Sequence, residues 1–279
     1  MTPFTPASVW NRLASPFLAS NNPGQQKIIT FLTAVPTIYT RLMAAFQGLP
    51  TPTQEAATRA ISPENLRLNI SGSAALPTPV KREWSRLSRG NVLLERYGMT
   101  EIGMAISCGL DFDDRVDASV GWPLPDVDVR LVDDQGQVIG REDEVGEIQV
   151  RGPTLFAEYW ANRPATLESF AGGGWFKTGD MAIRKASHDS AGHGKSGSWA
   201  IGPMYFIQGR RSVDIIKMAG EKVSALEVER ELLAMYVSLF YARGVFRFSS
   251  ASIHASILYL STAFIPFLYP SVHANPPSK

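Results

Sequence analysis

The sequence predicts an α/β fold whose sheet is mostly parallel, joined to a smaller antiparallel subdomain. Two observations carry this. Up to residue 107, short apolar runs alternate with segments whose apolar residues recur at helical spacing, as in strands linked by crossover helices. After about residue 119 the texture becomes alternating, in 127–132 (VDVRLV) and again in 146–151 (GEIQVR), with a turn at 133–136. Such a pair reads as an antiparallel meander packed beside the α/β part.

The elements follow in order. Residues 1–26 show little periodicity, and Val9, Trp10, Leu13 and Leu18 support at most a short helix. Residues 27–34 (KIITFLTA) read as a buried strand. Pro36 suits a helix start, with Ile38, Leu42 and Phe46 on one face before Gly48 stops it. A helix–loop segment covers 49–65, a strand 66–70, a helix 81–87 and a strand 92–94. The segment 175–180 (WFKTGD) is expected to end in a turn carrying a carboxylate. Residues 186–198, polar and glycine-rich, read as an exposed insertion. His188 and His193 lie there without the acidic or thiol partners of a metal site beyond Asp189. Strands are expected at 204–208 and 213–218, and Ser224 with Glu227 reads as a capping box for a helix to about Met235.

Composition excludes several function classes. The chain has 279 residues, 44% of them hydrophobic, and a formal net charge of +1, without the basic excess of a nucleic-acid binder. Cys108 is the only cysteine, so neither an intrachain disulfide nor a thiolate metal cluster can form. No targeting sequence is evident in the first 20 residues. The run 250–272 has the length of a membrane span, but Pro266, His254 and its serines make it a poor one. A disordered or badly packed tail is expected from residue 236 onward.

The chemistry concentrates in residues 95–101 (ERYGMTE). They follow an apolar strand and combine a charged pair, an aromatic ring, a free glycine and the hydroxyl–carboxylate pair Thr100–Glu101. Such groups at a strand end suit a ligand mouth. Six further blocks flank this one: VPTIYTRLM (35–43), SGSAALP (71–77), VGWPLPDVDVRLVD (120–133), GEIQVRGPTLFAEYW (146–160), WFKTGD (175–180) and GRRSVDIIKMAGEKVSALEVE (209–229). In this order and spacing the chain resembles the adenylate-forming acyl-CoA synthetases, and within them the malonyl-CoA synthetases, over residues 8–235.

The resemblance implies part of the large N-terminal domain of an acyl-adenylate-forming enzyme with the start of its small C-terminal domain. Its pieces would be 1–119 (acyl and nucleotide binding), 120–208 (antiparallel subdomain), 209–235 (hinge and small-domain start) and a non-homologous 236–279. It implies ATP or AMP, Mg2+ and coenzyme A as ligands, with a small carboxylate as the acid. Nucleic acid and membrane are not expected as partners, oligomeric state is open, and the compartment would be cytoplasmic or mitochondrial. Carried over, Gly72, Ser73 and Ala74 would line the adenine and acyl pocket, and Tyr97 would stack on adenine. Thr100 would bond phosphate, and Glu101 would hold magnesium. Asp180 would accept the ribose hydroxyls, and Arg210 would approach ribose and phosphate. Arg41 and Arg96, helped by Ser73 and Met99, would grip the distal carboxylate of a malonate or methylmalonate. Two buried guanidiniums facing a monocarboxylic chain would cost too much to desolvate, whereas a dicarboxylate matches them in bidentate geometry.

The pattern also departs from the family. The phosphate-binding loop and the catalytic lysine segment have no counterpart in these residues; Asp126 stands where a glycine is usual, and Ser212 at the hinge. Two readings therefore stay open beside each other. One is the body of a malonyl-CoA ligase; the other is an inactive partial form, or the body of a generic acyl-CoA synthetase. By itself the chain is expected to perform essentially no malonate-dependent adenylation.

Overall fold

The computed structural model describes residues 4–18, 27–186, 193–212, 214–218, 221–226 and 228–232, all within the unit Met1–Ala234; the second unit, Met235–Lys279, lies outside the described residues. So do His188, Glu227 and the expected tail.

The first layer is helical. Helix α1 (Pro6–Ala14) starts at Thr5, whose hydroxyl accepts from the Ser8 amide at 3.1 Å, and proline opens its first turn. A 3-10 turn follows, and then β1 (Phe31–Ala34), α2 (Pro36–Phe46), α3 (Thr51–Ala60), β2 (Leu68–Ser71), α4 (Thr78–Leu87) and β3 (Leu94–Met99). Helix α2 buries Tyr39, Leu42 and Phe46, one residue round from the expected face, while Ile38 packs at its margin. Trp10 stacks on Trp84 at 6.2 Å, Tyr39 meets the Trp84 edge at 4.7 Å, and Phe46 closes on Trp10 at 5.3 Å. Two of the three polar tips are satisfied, Trp10 Nε1 donating to the Leu42 carbonyl and the Tyr39 hydroxyl to that of Ile70, each at 2.8 Å, while Trp84 Nε1 is buried without a partner among the described residues. Fully buried Leu13, Leu42, Ile61, Leu66 and Leu93 fill the remaining space, each contributing roughly 1.5–3 kcal/mol.

The first sheet has order β1–β2–β3–β4–β5, where β4 is Gly103–Ser107 and β5 is Trp122–Pro123. Strands β1, β2 and β3 are parallel, with Ala34 beside Ser71 and Ser71 beside Glu95. Strands β1 and β2 thus end level with Glu95, and β3 runs on past them to Met99, on the carboxyl side at which open α/β sheets bind ligands. The sheet then turns antiparallel through β4 and β5. Two expectations need correction here. The strand at 27–34 is confined to 31–34 and runs along the sheet edge, leaving Phe31 half exposed, because one neighbour cannot cover it. The strand at 92–94 begins at Leu94 and continues through Met99, so the polar stretch after Leu94 is itself paired, against β4.

The second sheet is antiparallel, in order β10–β9–β7–β6 with β8 added to β9. Its strands are β6 (Asp128–Val132), β7 (Gly146–Arg151), β8 (Phe170–Ala171), β9 (Trp175–Lys185) and β10 (Met204–Arg210), with α5 (Arg163–Ser169) before β8. Its inner face and β4 share one core, built from Ile102, Ile106, Leu131, Ile148, Val150, Phe176 and Tyr205. Asp126, in the place of the family's glycine, has φ +65°, a left-handed conformation that aspartate tolerates better than most side chains.

The expected turn at 175–180 is a bulge instead. Gly146 pairs with Ala182 and Glu147 with Met181, but Gln149 pairs with Lys177, so residues 178–180 stand opposite Ile148 alone. Gly179, at φ +73°, lets the strand make that excursion and continue to Lys185. The insertion is also bonded to the segment after β4. Of its described part, Asp114 accepts from the Lys195 amide at 2.9 Å and from the Ser196 hydroxyl, and Lys195 pairs with Asp113. Strands β11 (Ile215–Met218) and β12 (Glu221–Ser224) form a hairpin, and residues 225–226 and 228–232 are helical. The Ser224 hydroxyl donates to the Gln208 carbonyl at 2.6 Å, tying that helix start to β10. Among the described residues, no helix is long and apolar enough to cross a membrane.

Candidate nucleotide and acyl site

The site begins where β3 bends. Its pairing with β4 shifts register between Tyr97 and Gly98, and a Cβ on Gly98 would lie 2.1 Å from the Gly103 carbonyl oxygen. Only glycine permits that approach. The bend carries Tyr97 toward the second sheet, where its hydroxyl donates to Asp180 Oδ2 at 2.7 Å. Asp180 sits at the end of the β9 bulge, its amide held by the Thr178 hydroxyl at 3.1 Å. Arg210 is its cross-strand neighbour on β10, and the Arg210 Nε donates to Asp180 Oδ1 at 2.9 Å. The Arg210 backbone is fixed in turn by Asp214, whose carboxylate accepts the Arg210 amide at 2.8 Å. Three strands from two sheets thus converge on one carboxylate.

Its environment is graded from dry to wet. The Asp180 side chain is 11% exposed, whereas that of Arg210 is 55% exposed. Burial pushes the Asp180 carboxyl above its ordinary range, opposed by the Tyr97 hydrogen bond and the Arg210 charge, while Asp214 adds to the rise. Burial, and then the Asp180 charge, push the Tyr97 phenol upward as well. Tyr97 is therefore a neutral hydrogen-bond donor at physiological pH.

Thr100 and Glu101 occupy the turn between β3 and β4, Thr100 exposed and Glu101 half-buried. The Tyr159 hydroxyl donates to Glu101 Oε1 at 3.1 Å, and the Phe156 amide donates to the Glu101 carbonyl at 2.8 Å. Gly72, Ser73 and Ala74 follow the end of β2; Ser73 is left-handed at φ +64°, and Gly72 lies beside the Arg96 carbonyl. Met99, at the end of β3, packs against the second core. Arg96 is half-buried on β3 opposite Ser107. Arg41 is exposed on α2, with its guanidinium 4.8 Å from the Phe4 ring. Direct bonds join Tyr97, Asp180 and Arg210; Arg41, exposed beside Phe4, is not the buried guanidinium expected from the sequence.

Three participants were not legible. Glu95 does not pair with its neighbour Arg96 but with Lys81 of α4 at 2.8 Å, both side chains 7% exposed. Lys81 Nζ also donates to the Val116 carbonyl at 3.0 Å. The available signal was its i+3 spacing to Trp84, which puts a lysine on the buried face of α4. Tyr159 reaches the site through long-range packing that no local pattern announces, whereas Asp214 closes a turn only four residues from Arg210. Cys108 is buried and its thiol is pushed up to about 12, chiefly by desolvation, so it is no nucleophile. Among the described residues there is no group of three or more His, Cys, Asp or Glu side chains fit to hold a metal ion.

Residues 25–160 match the AMP-binding enzyme family. The chain is 56% identical over 263 residues to a CoA ligase of Gibberella moniliformis, covering 84% of this chain and 44% of that protein. To the mitochondrial malonate–CoA ligase ACSF3 of Homo sapiens it is 43% identical over 254 residues, covering 84% of this chain and 40% of the relative. The fold superposes on ATP-bound MatB from Rhodopseudomonas palustris with a TM-score of 0.60 at 32% identity, over 83% of this chain and 38% of that one. The chain thus spans less than half the length of each of these relatives. With the carboxylate on which Tyr97 and Arg210 converge, the matches have one reading: the chain belongs to the AMP-binding acyl-CoA ligase family.

Proposed function

We propose that this chain carries the nucleotide- and acid-recognition part of an ATP-dependent acid–thiol ligase whose acid is malonate or methylmalonate. Tyr97 stacks on adenine beside Gly72, Ser73 and Ala74, Asp180 accepts the ribose hydroxyls, and Arg210 faces ribose and phosphate. Thr100 bonds a phosphoryl oxygen. Coenzyme A is the acceptor that the family reaction requires. The compartment is the mitochondrion or the cytoplasm, in keeping with the mitochondrial human relative.

Magnesium fits this donor set in a limited way. Glu101 offers a half-buried carboxylate with one oxygen bonded to Tyr159, and its second oxygen accepts no hydrogen bond among the described residues. A single carboxylate suits an ion that arrives on nucleotide phosphates and keeps several waters, rather than a resident metal. When bound, magnesium supplies neutralisation of charge on the phosphoryl oxygens.

The observation that carries the acid assignment concerns the arginines. Among the described residues neither Arg41 nor Arg96 has an ion-pair partner, and the adjacent Glu95 is taken by Lys81. A half-buried guanidinium without a carboxylate invites one from a ligand. Ser73 and Met99 complete the surroundings of that distal carboxylate. Calorimetric titration with sulfamoyl-linked mimics of malonyl-adenylate and butyryl-adenylate tests the assignment without requiring turnover. The malonyl mimic should bind at least about tenfold more tightly, and Arg96→Ala should erase that preference, as expected for truncating one partner of a desolvated charge pair. Equal affinity of the two mimics for the unmodified chain would reduce the reading to a generic acyl-CoA ligase body.

A further inference from the structure

Asp180 is already bonded on both oxygens before any nucleotide arrives. Oδ2 accepts from the Tyr97 hydroxyl at 2.7 Å, and Oδ1 accepts from Arg210 Nε at 2.9 Å. An ionised carboxylate has about four lone-pair sites. The two bonds leave one site on each oxygen, which is the pattern a vicinal diol needs to donate once to each. The holders are unequal. Arg210 is largely in water, where its hold is weak, whereas Tyr97 approaches from the core side and anchors Oδ2 through a half-buried phenol.

We propose that the Tyr97 hydroxyl is a specificity-determining positioning group. It locks the rotation of the Asp180 carboxylate so that its two remaining lone pairs face a cis-diol, and thereby selects ribonucleotides over deoxynucleotides. This rests on the nucleotide reading of the site and adds to it a role for the phenol oxygen, separate from any stacking by the ring. A tie between two sheets would also place a hydroxyl there, but that role does not depend on the sugar of a ligand. The diol-dependent part of the affinity does.

The test compares AMP with 2′,3′-dideoxyadenosine 5′-monophosphate on the full chain and on Tyr97→Phe, which keeps the ring and removes the oxygen. The unmodified chain should prefer AMP by at least about tenfold, the usual weight of hydrogen bonds to a charged group. In Tyr97→Phe that preference should fall to about twofold, with the affinity for the dideoxy compound nearly unchanged. Tyr97→Leu serves if the phenylalanine variant does not fold: stacking is lost for both ligands, and their ratio still reports the diol. A ratio unchanged in the variant overturns the positioning role and leaves the nucleotide site standing. No affinity of the unmodified chain for either ligand overturns the nucleotide reading, and this inference with it.

Discussion

Two buried carboxylates one strand apart in logic behave in opposite ways. Glu95, at the base of β3, is paired with Lys81 at 2.8 Å, and both side chains are 7% exposed. Asp180, at the mouth of the second sheet, is paired with Arg210 at 2.9 Å, but the arginine is 55% exposed. Desolvation raises both carboxyls, opposed at Glu95 chiefly by Lys81 and at Asp180 by Tyr97 and then Arg210. The difference is access. The Glu95 pair is sealed by α4 and the Val116 carbonyl, so its charges serve only each other and the geometry of β3. The Asp180 pair has one member in water, so a ligand can reach the carboxylate without breaking the fold.

The largest effect that can test this contrast is at Lys81. Lys81→Met should lower unfolding free energy by about 3–5 kcal/mol, because it strands the Glu95 carboxylate in an apolar setting. The urea midpoint is the measurement. Pairing it with Glu95→Leu should recover most of the loss, since two apolar groups of similar volume need no solvation. A single change costing under about 1 kcal/mol would mean that water reaches Glu95, and the two carboxylates would then be alike.

Next in size is the loss of ligand at the open carboxylate. Asp180→Ala should weaken AMP binding about tenfold to a hundredfold, the weight of hydrogen bonds made to a charged acceptor. The same change should lower the unfolding free energy little, by about 1 kcal/mol or less, because Arg210 regains water. A large stability loss with intact AMP affinity would transfer Asp180 to the structural class.

These carboxylates also show how much the sequence carries. The layered α/β order and the strands at 127–132 and 146–151 were legible from the alternation of apolar and polar residues, although β7 buries Glu147 and Gln149 as well as its apolar side chains. The bulge at 178–180 read as a turn, since a glycine with positive φ looks alike in both; only the resumed pairing at Met181 distinguishes them. Residues 95–101 read as a ligand mouth beyond the strand at 92–94 because their polar side chains hide the pairing of residues 96–99 with β4. Of the site, Tyr97, Asp180 and Arg210 were identified through family resemblance, and their assembly depends on contacts spanning up to 83 residues. Lys81 shows the limit: a helix period places it on the buried face, but its partner lies on another strand, and no local pattern names it.

The smallest effect has the sharpest sign. The Asp180 carboxyl is raised in the folded chain, so its contribution to stability is fully present below the unfolded value of about 4 and is lost as pH rises through the folded one. At neutral pH the ionised group therefore weighs against the ligand-free fold. Asp180→Asn keeps an oxygen to accept from Tyr97 and removes the charge. It should match the unmodified chain in acid and exceed it at pH 7, by no more than about 1 kcal/mol given the solvation of Arg210. Glu95→Leu should lose stability across the whole range, because it leaves the Lys81 ammonium buried without an acceptor. Thermal melts of both variants between pH 4 and pH 7 would decide the matter. Removing the carboxylate would then stabilise at the mouth and destabilise at the base; if Asp180→Asn lost stability at neutral pH, the mouth carboxylate would be holding the two sheets together as Glu95 holds α4 to β3.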